Sequence, residues 1–186
     1  MSLRALLSST LRSVWRALRR GDRRAGVRPG SDPRAALALT DRRATPPLAL
    51  AYAPRDDGRP DAGEIVWAWV PYEEDLQQGK DRPVLVLAEE DAAVGGTDGR
   101  GRVLVALMLT SRDHAEAGRV AVDTHGATWV DIGAGAWDRR GRSSEVRADR
   151  LLRLALPAVR REGARLERPV FDRVATAVRA AHGWNR

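Results

Sequence analysis

The feature that most constrains the fold of this chain is a series of short apolar runs, separated by turn residues, that begins at Gly63. Five runs of five to seven residues are predicted to be β-strands: 65–70, 83–88, 103–109, 128–132 and 144–148. The third run is apolar throughout, which predicts a central strand covered on both faces. Several short strands with regular turn punctuation predict a compact β-barrel.

The end of the chain is predicted to be helical. Pro157 suits the first turn of a short helix that runs to Glu162, and Gly163 is expected to end it. Pro169 opens a last helix with one apolar stripe, made of Val170, Phe171, Val174, Val178 and Ala181. The predicted fold class is therefore mainly β with a C-terminal helix.

Charge divides the chain into a basic N-terminal arm and a nearly neutral remainder. Residues 1–60 contain 13 arginines and 5 aspartates, whereas the other 126 residues contain 19 cationic and 20 acidic side chains. Residues 1–20 are predicted to form an amphipathic basic helix that packs on a protein surface, with contact to a membrane surface as the alternative. Residues 21–62, rich in Arg, Pro and Ala, are predicted to be a linker to a domain at 63–182.

The composition argues against several kinds of site. The chain has no cysteine, which rules out disulfide bonds, cysteine-bound zinc and a thiol nucleophile. The spacing of its histidines does not suit a metal site, so neither a metal nor another cofactor is expected. One histidine, His114, follows Thr110 by four residues in a predicted loop. No apolar run of about 18 residues exists, so no transmembrane helix is predicted, and a cytoplasmic location is expected.

Four segments of the predicted domain resemble the MazF/PemK family of toxins, including its PemK/Kid branch. They match the family's first strand, its Gln-Gly-x-x-Arg-Pro loop with the apolar strand that follows, the Thr-Ser end of its next apolar strand, and a late segment with Val-Arg-x-Asp. In this chain the segments are 63–67 (Gly-Glu-Ile-Val-Trp), 78–86 (Gln-Gly-Lys-Asp-Arg-Pro-Val-Leu-Val), 109–111 (Leu-Thr-Ser) and 144–153 (Ser-Glu-Val-Arg-Ala-Asp-Arg-Leu-Leu-Arg). The resemblance covers roughly residues 61–182.

The resemblance implies both a fold and an activity. The fold would be an SH3-like small β-barrel of the MazF/PemK/CcdB-like type. The activity would be that of a type II toxin–antitoxin system toxin, a metal-independent endoribonuclease in which the 2′-hydroxyl of single-stranded RNA attacks the adjacent phosphorus. The products would carry a 2′,3′-cyclic phosphate and a 5′-hydroxyl. The implied partners are mRNA, a second copy of the chain in a homodimer, a cognate antitoxin, and operator DNA bound together with the antitoxin.

Individual residues receive roles from the same resemblance. Arg82 is expected to face the scissile phosphate, because a guanidinium can bind two phosphate oxygens at once, and Thr110 and Ser111 are expected to orient that phosphate. Arg147 and Asp149 lie two positions apart and so share a strand face, as either a surface ion pair or a functional couple. In the Kid-like branch the matching pair is assigned acid and base roles. Arg147 would then stabilise or protonate the leaving group, and Asp149 would be the base.

RNA contacts are expected from Gln78 and Lys80, which lie in the loop before Arg82. Trp137 lies in a predicted polar loop, and its indole is expected to stack on an unpaired base or a partner.

Two positions depart from the family pattern and leave rival functions open. Many relatives have Glu where this chain has Gln77, and the Kid-like branch has His where this chain has Leu76. These departures favour the alternative of a non-catalytic barrel that binds nucleic acid or protein. A second alternative is a gyrase-directed toxin of the same fold, which would use a tryptophan-led C-terminus such as residues 183–186.

Overall fold

The computed structural model describes residues 32–43 and 46–184. The amphipathic helix predicted for residues 1–20 and the first part of the predicted linker lie outside these residues. Within the described part, no helix is long and apolar enough to span a membrane.

In the described part of the chain, eight antiparallel strands form one sheet. Their order across it is β4-β5-β6-β3-β2-β1-β8, and β7 also pairs with β3. The strands are β1 (Glu64–Pro71), β2 (Gly79–Asp91), β3 (Arg102–Thr110), β4 (Val120–Val122), β5 (Thr128–Gly133), β6 (Ser144–Arg147), β7 (Leu152–Ala155) and β8 (Val159–Arg165). The five predicted strands are confirmed, and the apolar run at 103–109 is central, because β3 pairs with β2, β6 and β7.

The prediction of a closed barrel is wrong for the described residues. The sheet ends at β4 on one side and at β8 on the other, and these two strands do not pair. Strand β3 pairs along one edge with two short strands, with β7 at its first half and with β6 at its end. β3 thereby joins the two groups of strands, while the two edges of the sheet stay apart.

The short helix predicted at 157–162 is also wrong. A 3₁₀ helix covers only Leu156–Ala158, and the chain then continues as β8, which pairs with β1. Proline and glycine signals are local, whereas the cross-strand partners of β8 lie about 90 residues earlier in the chain. Pairing with the edge of β1 therefore outweighs the local helix signal.

Two helices complete the domain: the four-residue α1 (Ala92–Gly95) in the β2–β3 connection and the terminal α2 (Arg168–Ala181). The predicted last helix is thus confirmed. Its apolar stripe, which buries Phe171, Val174, Ala175, Ala177 and Val178, packs on one face of the sheet. The other face carries a smaller apolar cluster built mainly from valine, alanine and leucine side chains of β1, β2, β3 and β7.

Residues 32–43 and 46–62, which belong to the predicted linker, contact the rest of the domain at defined positions. The Arg42 N–H donates to Leu151 O at 2.8 Å, and the Tyr52 hydroxyl donates to Leu166 O at 2.8 Å. Leu48, which is 8% exposed, lies in the larger apolar cluster. Most apolar residues of the segment are alanines, but its larger side chains Leu48, Leu50 and Tyr52 pack in or against the larger apolar cluster.

Buried arginines hold the β2–β3 connection in place. The Arg153 side chain is fully buried; it is ion-paired with Asp98 and donates to Ala92 O at 2.6 Å. A Cβ atom at Gly96 would lie 2.1 Å from Arg153 Nη1, so the backbone passes this guanidinium too closely for any side chain. Gly96 therefore makes room for the Arg153 side chain.

Candidate active site

Arg82 and Thr110 lie side by side on one face of the sheet, at the end where β2 begins and β3 ends. The register of the two strands pairs Val84 with Met108, and Arg82 and Thr110 each lie two positions beyond that pair. Side chains two positions apart on a strand point to the same face. The fold thus brings together two residues that are 28 positions apart in the sequence.

Among the described residues, no carboxylate pairs with the positively charged Arg82 guanidinium. Its half-buried side chain has neither an ion pair nor a hydrogen bond to any residue within 32–43 and 46–184. Burial lowers the pKa of Arg82 most, and the charges of Arg112 and Arg150 lower it further, while Tyr72 acts in the opposite direction. A desolvated cation beside two other cations gains most from an incoming anion, so the surroundings of Arg82 favour phosphate binding.

Arg147 lies on the same face as Arg82 and Thr110, because it is two positions from Glu145, which pairs directly with Thr110. Asp149 joins this face by contact, since its Oδ2 atom accepts from Arg147 Nη2 at 2.9 Å. The predicted couple is therefore an ion pair at the edge of the arginine-rich surface.

A second carboxylate binds the same guanidinium. Arg147 Nη1 donates to Glu73 Oε2 at 2.9 Å, and Glu73 comes from the loop between β1 and β2. Burial acts to lower the pKa of Arg147, but the hydrogen bond and charge of Asp149 together with Glu73 outweigh it and raise that pKa above its ordinary value. Arg147 is thus a fixed cation held between two carboxylates.

The two carboxylates differ in their availability. The Asp149 side chain is 24% exposed and also accepts from Thr128 N at 2.7 Å, whereas the Glu73 side chain is 56% exposed. Within the described part of the chain, Glu73 has only Arg147 as a hydrogen-bond partner. Glu73 is therefore the carboxylate that a substrate reaches more easily.

Thr110 and Ser111 occupy different environments at the end of β3. The half-buried Thr110 hydroxyl accepts from Arg112 N at 3.2 Å and so helps to turn the chain out of the strand. Ser111 is exposed at the start of the following loop. Within the described residues neither hydroxyl donates a hydrogen bond, and Arg112 lies near enough to Arg82 for its charge to lower the pKa of Arg82.

Glu145 is a residue of this region that sequence analysis missed. It is buried in β6, and its Oε1 atom accepts from the backbone N–H groups of His114 and Ala115, both at 2.8 Å. It therefore fixes the loop that follows Thr110. No local pattern predicts this role, because the two bonded partners lie about 30 positions away.

The residues predicted to contact RNA divide into two groups. Gln78 and Lys80 are exposed beside the candidate site: Gln78 Nε2 donates to Asp75 Oδ2 at 3.1 Å, and Lys80 Nζ lies 5.9 Å from the centre of the Tyr72 ring. Tyr72 in turn interacts with Arg82. Through Tyr72, Lys80 is thus linked to the surroundings of Arg82.

Trp137, which was predicted to stack on a base or a partner, is by contrast not on an open surface. It is 7% exposed, lies in the larger apolar cluster and donates from Nε1 to Ser144 Oγ at 3.1 Å. A Cβ atom at Gly135 would lie 2.1 Å from its ring. The absence of a side chain at Gly135 lets the indole fold back into the core, which its polar neighbours in sequence did not indicate.

Within residues 32–43 and 46–184, no group of three or more histidine or acidic side chains is placed to hold a metal ion. The fold and site thus define a small antiparallel β protein whose arginine-rich surface suits an anionic substrate.

A family profile described as "PemK-like, MazF-like toxin of type II toxin-antitoxin system" matches residues 61–182. Because this match covers more than half of the chain, the protein belongs to that toxin family.

Two solved structures are similar to the chain. MazF (Form-I) from Deinococcus radiodurans has 26% sequence identity and a TM-score of 0.43, and the alignment covers 68% of this chain and 99% of that chain. MazE-MazF (Form-II) from Deinococcus radiodurans has 26% identity and a TM-score of 0.40, with 68% and 98% covered. A search of curated proteins found no match.

Proposed function

We propose that this protein is an endoribonuclease that cleaves single-stranded RNA without a metal ion, through attack of a 2′-hydroxyl on the adjacent phosphorus. The observation that carries the proposal is the Arg82 charge, which pairs with no carboxylate among the described residues and is half-buried beside Arg112 and Arg150. Membership of the PemK-like, MazF-like toxin family supports the same activity. The products are a 2′,3′-cyclic phosphate and a 5′-hydroxyl.

Arg82 binds the scissile phosphate in this proposal. Negative charge grows on the phosphoryl oxygens as the 2′-oxygen attacks, and donors already aimed at that charge lower the barrier. The planar guanidinium of Arg82 can hold two of these oxygens. Thr110 and Ser111, at the adjacent strand end, supply hydroxyl donors that orient the same group.

The base in this proposal is Glu73, and Asp149 positions Arg147. Both oxygens of Asp149 are occupied by Arg147 and Thr128, whereas Glu73 is the more exposed carboxylate and binds only Arg147 among the described residues. A general base has to reach the proton that it removes. The sequence-based assignment of Asp149 as the base stays a prediction. The pH profiles of Glu73→Gln and Asp149→Asn distinguish it from the assignment of Glu73.

Arg147 stabilises the leaving group by its charge in this scheme. Its pKa lies above the ordinary value because Asp149 and Glu73 outweigh the effect of burial. A guanidinium that holds its proton so firmly is a poor acid but an effective partner for a developing alkoxide. The proton that the 5′-oxygen needs then comes from solvent or from the protonated base.

The proposal extends to the partners that membership of a toxin–antitoxin family implies. The chain forms a homodimer, and single-stranded mRNA lies across the dimer groove in the cytoplasm. A cognate antitoxin covers the groove and blocks RNA, and the toxin joins operator DNA only through that antitoxin. The family's description as toxins of type II toxin–antitoxin systems supports these partners.

Cleavage by the full-length protein in excess EDTA tests the proposal. We expect RNA fragments with 2′,3′-cyclic phosphate and 5′-hydroxyl ends, and no cleavage of a matched oligonucleotide that has a single 2′-deoxyribose at the cut site. Cleavage that depends on added magnesium, or that survives the 2′-deoxy substitution, would overturn the mechanism.

A further inference from the structure

We propose that His114 and Trp129 form a stacking platform for one unpaired base of the bound RNA strand, next to the Arg147 ion pair. This inference rests on the proposed RNA-cleaving function and adds the place where a base is held. The platform consists of the exposed His114 ring lying on the buried Trp129 ring.

The two rings are arranged as a parallel stack. Their centres are 4.2 Å apart, and their planes differ by 8°. Trp129 covers one face of the imidazole, so the exposed area of His114 is its opposite face and its edge. A flat aromatic face of this kind binds nucleobases with little regard to sequence, because every base presents a π-face.

Hydrogen bonds hold the Trp129 indole and the backbone that carries His114. The Trp129 Nε1 atom donates to Asp123 Oδ2 at 2.9 Å, which fixes the indole plane. The backbone N–H of His114 is bound by the buried Glu145 carboxylate at 2.8 Å. The loop is tied down again further along, where Gly118 N donates to Asp131 Oδ2 at 2.7 Å. An exposed aromatic ring held this firmly loses little conformational entropy when a base stacks on it.

The platform lies beside the proposed catalytic groups. Trp129 of β5 pairs directly with Arg147 of β6, and directly opposed side chains have Cβ atoms about 4.5–5.5 Å apart. Thr128, the neighbour of Trp129, binds Asp149 through its N–H. A nucleotide whose phosphate contacts the arginine-rich surface therefore has its base, or that of its neighbour, within reach of the platform.

Equilibrium binding of an uncleavable 2′-O-methyl RNA oligonucleotide to the full chain tests this inference. We expect His114→Ala to weaken binding by about five- to 100-fold, as the loss of one stacked base does. His114→Phe, which keeps a flat ring, should bind within about threefold of the parent. His125→Ala is the matched control, because His125 is exposed but stacks on no ring in the described part of the chain.

An oligonucleotide series with one abasic site at each position locates the stacked base. At that position the parent should lose affinity to the level of His114→Ala, and His114→Ala should show no further loss. Equal affinities of the parent and His114→Ala for the intact oligonucleotide would overturn the platform, even if the protein cleaves RNA. Binding that depends on His114 in a protein that does not cleave RNA would support the platform and contradict the proposed function. No binding of RNA by the parent would overturn both.

Discussion

At the scale of single residues, the candidate site depends on which charges have partners. The sequence contains 31 arginines, and nothing in their local pattern separates Arg82 from the others. The resemblance to a family selected Arg82, and the fold shows what distinguishes it physically, since many arginines of the domain bind a carboxylate and Arg82 binds none among the described residues. Some of these partners, such as Glu90 for Arg42 and Asp41 for Arg150, lie 48 and 109 positions away and cannot be read from neighbouring positions.

The pH dependence of cleavage should show which of the two carboxylates bound to Arg147 is the base. If Glu73 is the base, Glu73→Gln removes the low-pH limb of the rate profile, because that limb reports ionisation of the base. Asp149→Asn should slow the reaction by loosening Arg147 but keep the limb. The measurement is the cleavage rate at saturating RNA from pH 4 to pH 9 for both variants and the parent. A limb that vanishes in Asp149→Asn and persists in Glu73→Gln would return the role of base to Asp149.

Asp98 provides a test of stability against pH. Hydrogen bonds from Thr40 and Arg153 outweigh burial and lower the pKa of Asp98 in the folded protein. Its stabilising contribution is therefore present above the unfolded pKa of about 3.9 and is lost as pH falls through the folded pKa.

Asp98→Asn should accordingly lower the free energy of unfolding by about 1.5–3 kcal/mol at pH 7, the scale of hydrogen bonds to a charged group. The difference from the parent should shrink as pH falls below about 4. Urea denaturation at pH 7 and pH 3 measures both values, and Asp172→Asn on the exposed face of α2 is the control. A destabilisation that stays constant with pH would show that the charge of Asp98 is not the cause.

At the scale of elements, strands with strong apolar runs could be predicted and those defined by pairing could not. The strands at 65–70 and 103–109 are recognisable because both faces are covered and nearly every residue is apolar. By contrast, β4 has only three residues, and β8 contains Arg160 and Arg165. These two edge strands exist because a neighbouring strand offers free backbone groups, which is tertiary rather than local information.

The segment before β1 is an element of the domain, and this can be tested at one leucine. Leu48→Ala should lower the free energy of unfolding by about 2 kcal/mol or more, because Leu48 is 8% exposed within the larger apolar cluster. Leu37, which is 41% exposed, is the matched control, and Leu37→Ala should change stability by less than about 0.5 kcal/mol. Denaturation in urea measures the two differences. Equal, small effects would show that residues 46–62 behave as the linker that their composition predicts.

At the scale of the whole molecule, the structure bears on the rival gyrase-directed function. That alternative rests on a C-terminal tryptophan that contacts a partner. Trp184 instead packs against the larger apolar cluster, stacks on His182 with ring centres 5.0 Å apart, and has Arg42 above its ring at 5.7 Å. Trp184 therefore already contacts other residues of the domain, whereas the surface around Arg82 is open.

Net charge is distributed unevenly along the chain, which predicts how RNA binding responds to salt. Residues 1–31 contain eight arginines and one aspartate, while residues 32–186 contain 24 cationic and 24 acidic side chains. If the arm attracts RNA electrostatically, changing its eight arginines to glutamine should weaken binding and flatten the salt dependence by about 0.7 for each phosphate that the arm no longer neutralises. Binding measured at several salt concentrations tests this. Cleavage at saturating RNA should be unchanged, and an unaltered slope would show that the arm does not bind RNA.

The central claim is that the protein cleaves RNA at the site around Arg82. The single-turnover cleavage rate of Arg82→Ala in excess EDTA tests it most directly. We expect a loss of about 100-fold or more, roughly 2.7 kcal/mol of transition-state stabilisation, as for removal of one donor already aimed at the developing charge. Arg102→Ala, which removes an exposed arginine paired with Glu89 at the far end of β3, should cut at the parent rate. An Arg82→Ala protein that remains folded and cleaves RNA as fast as the parent would contradict the account.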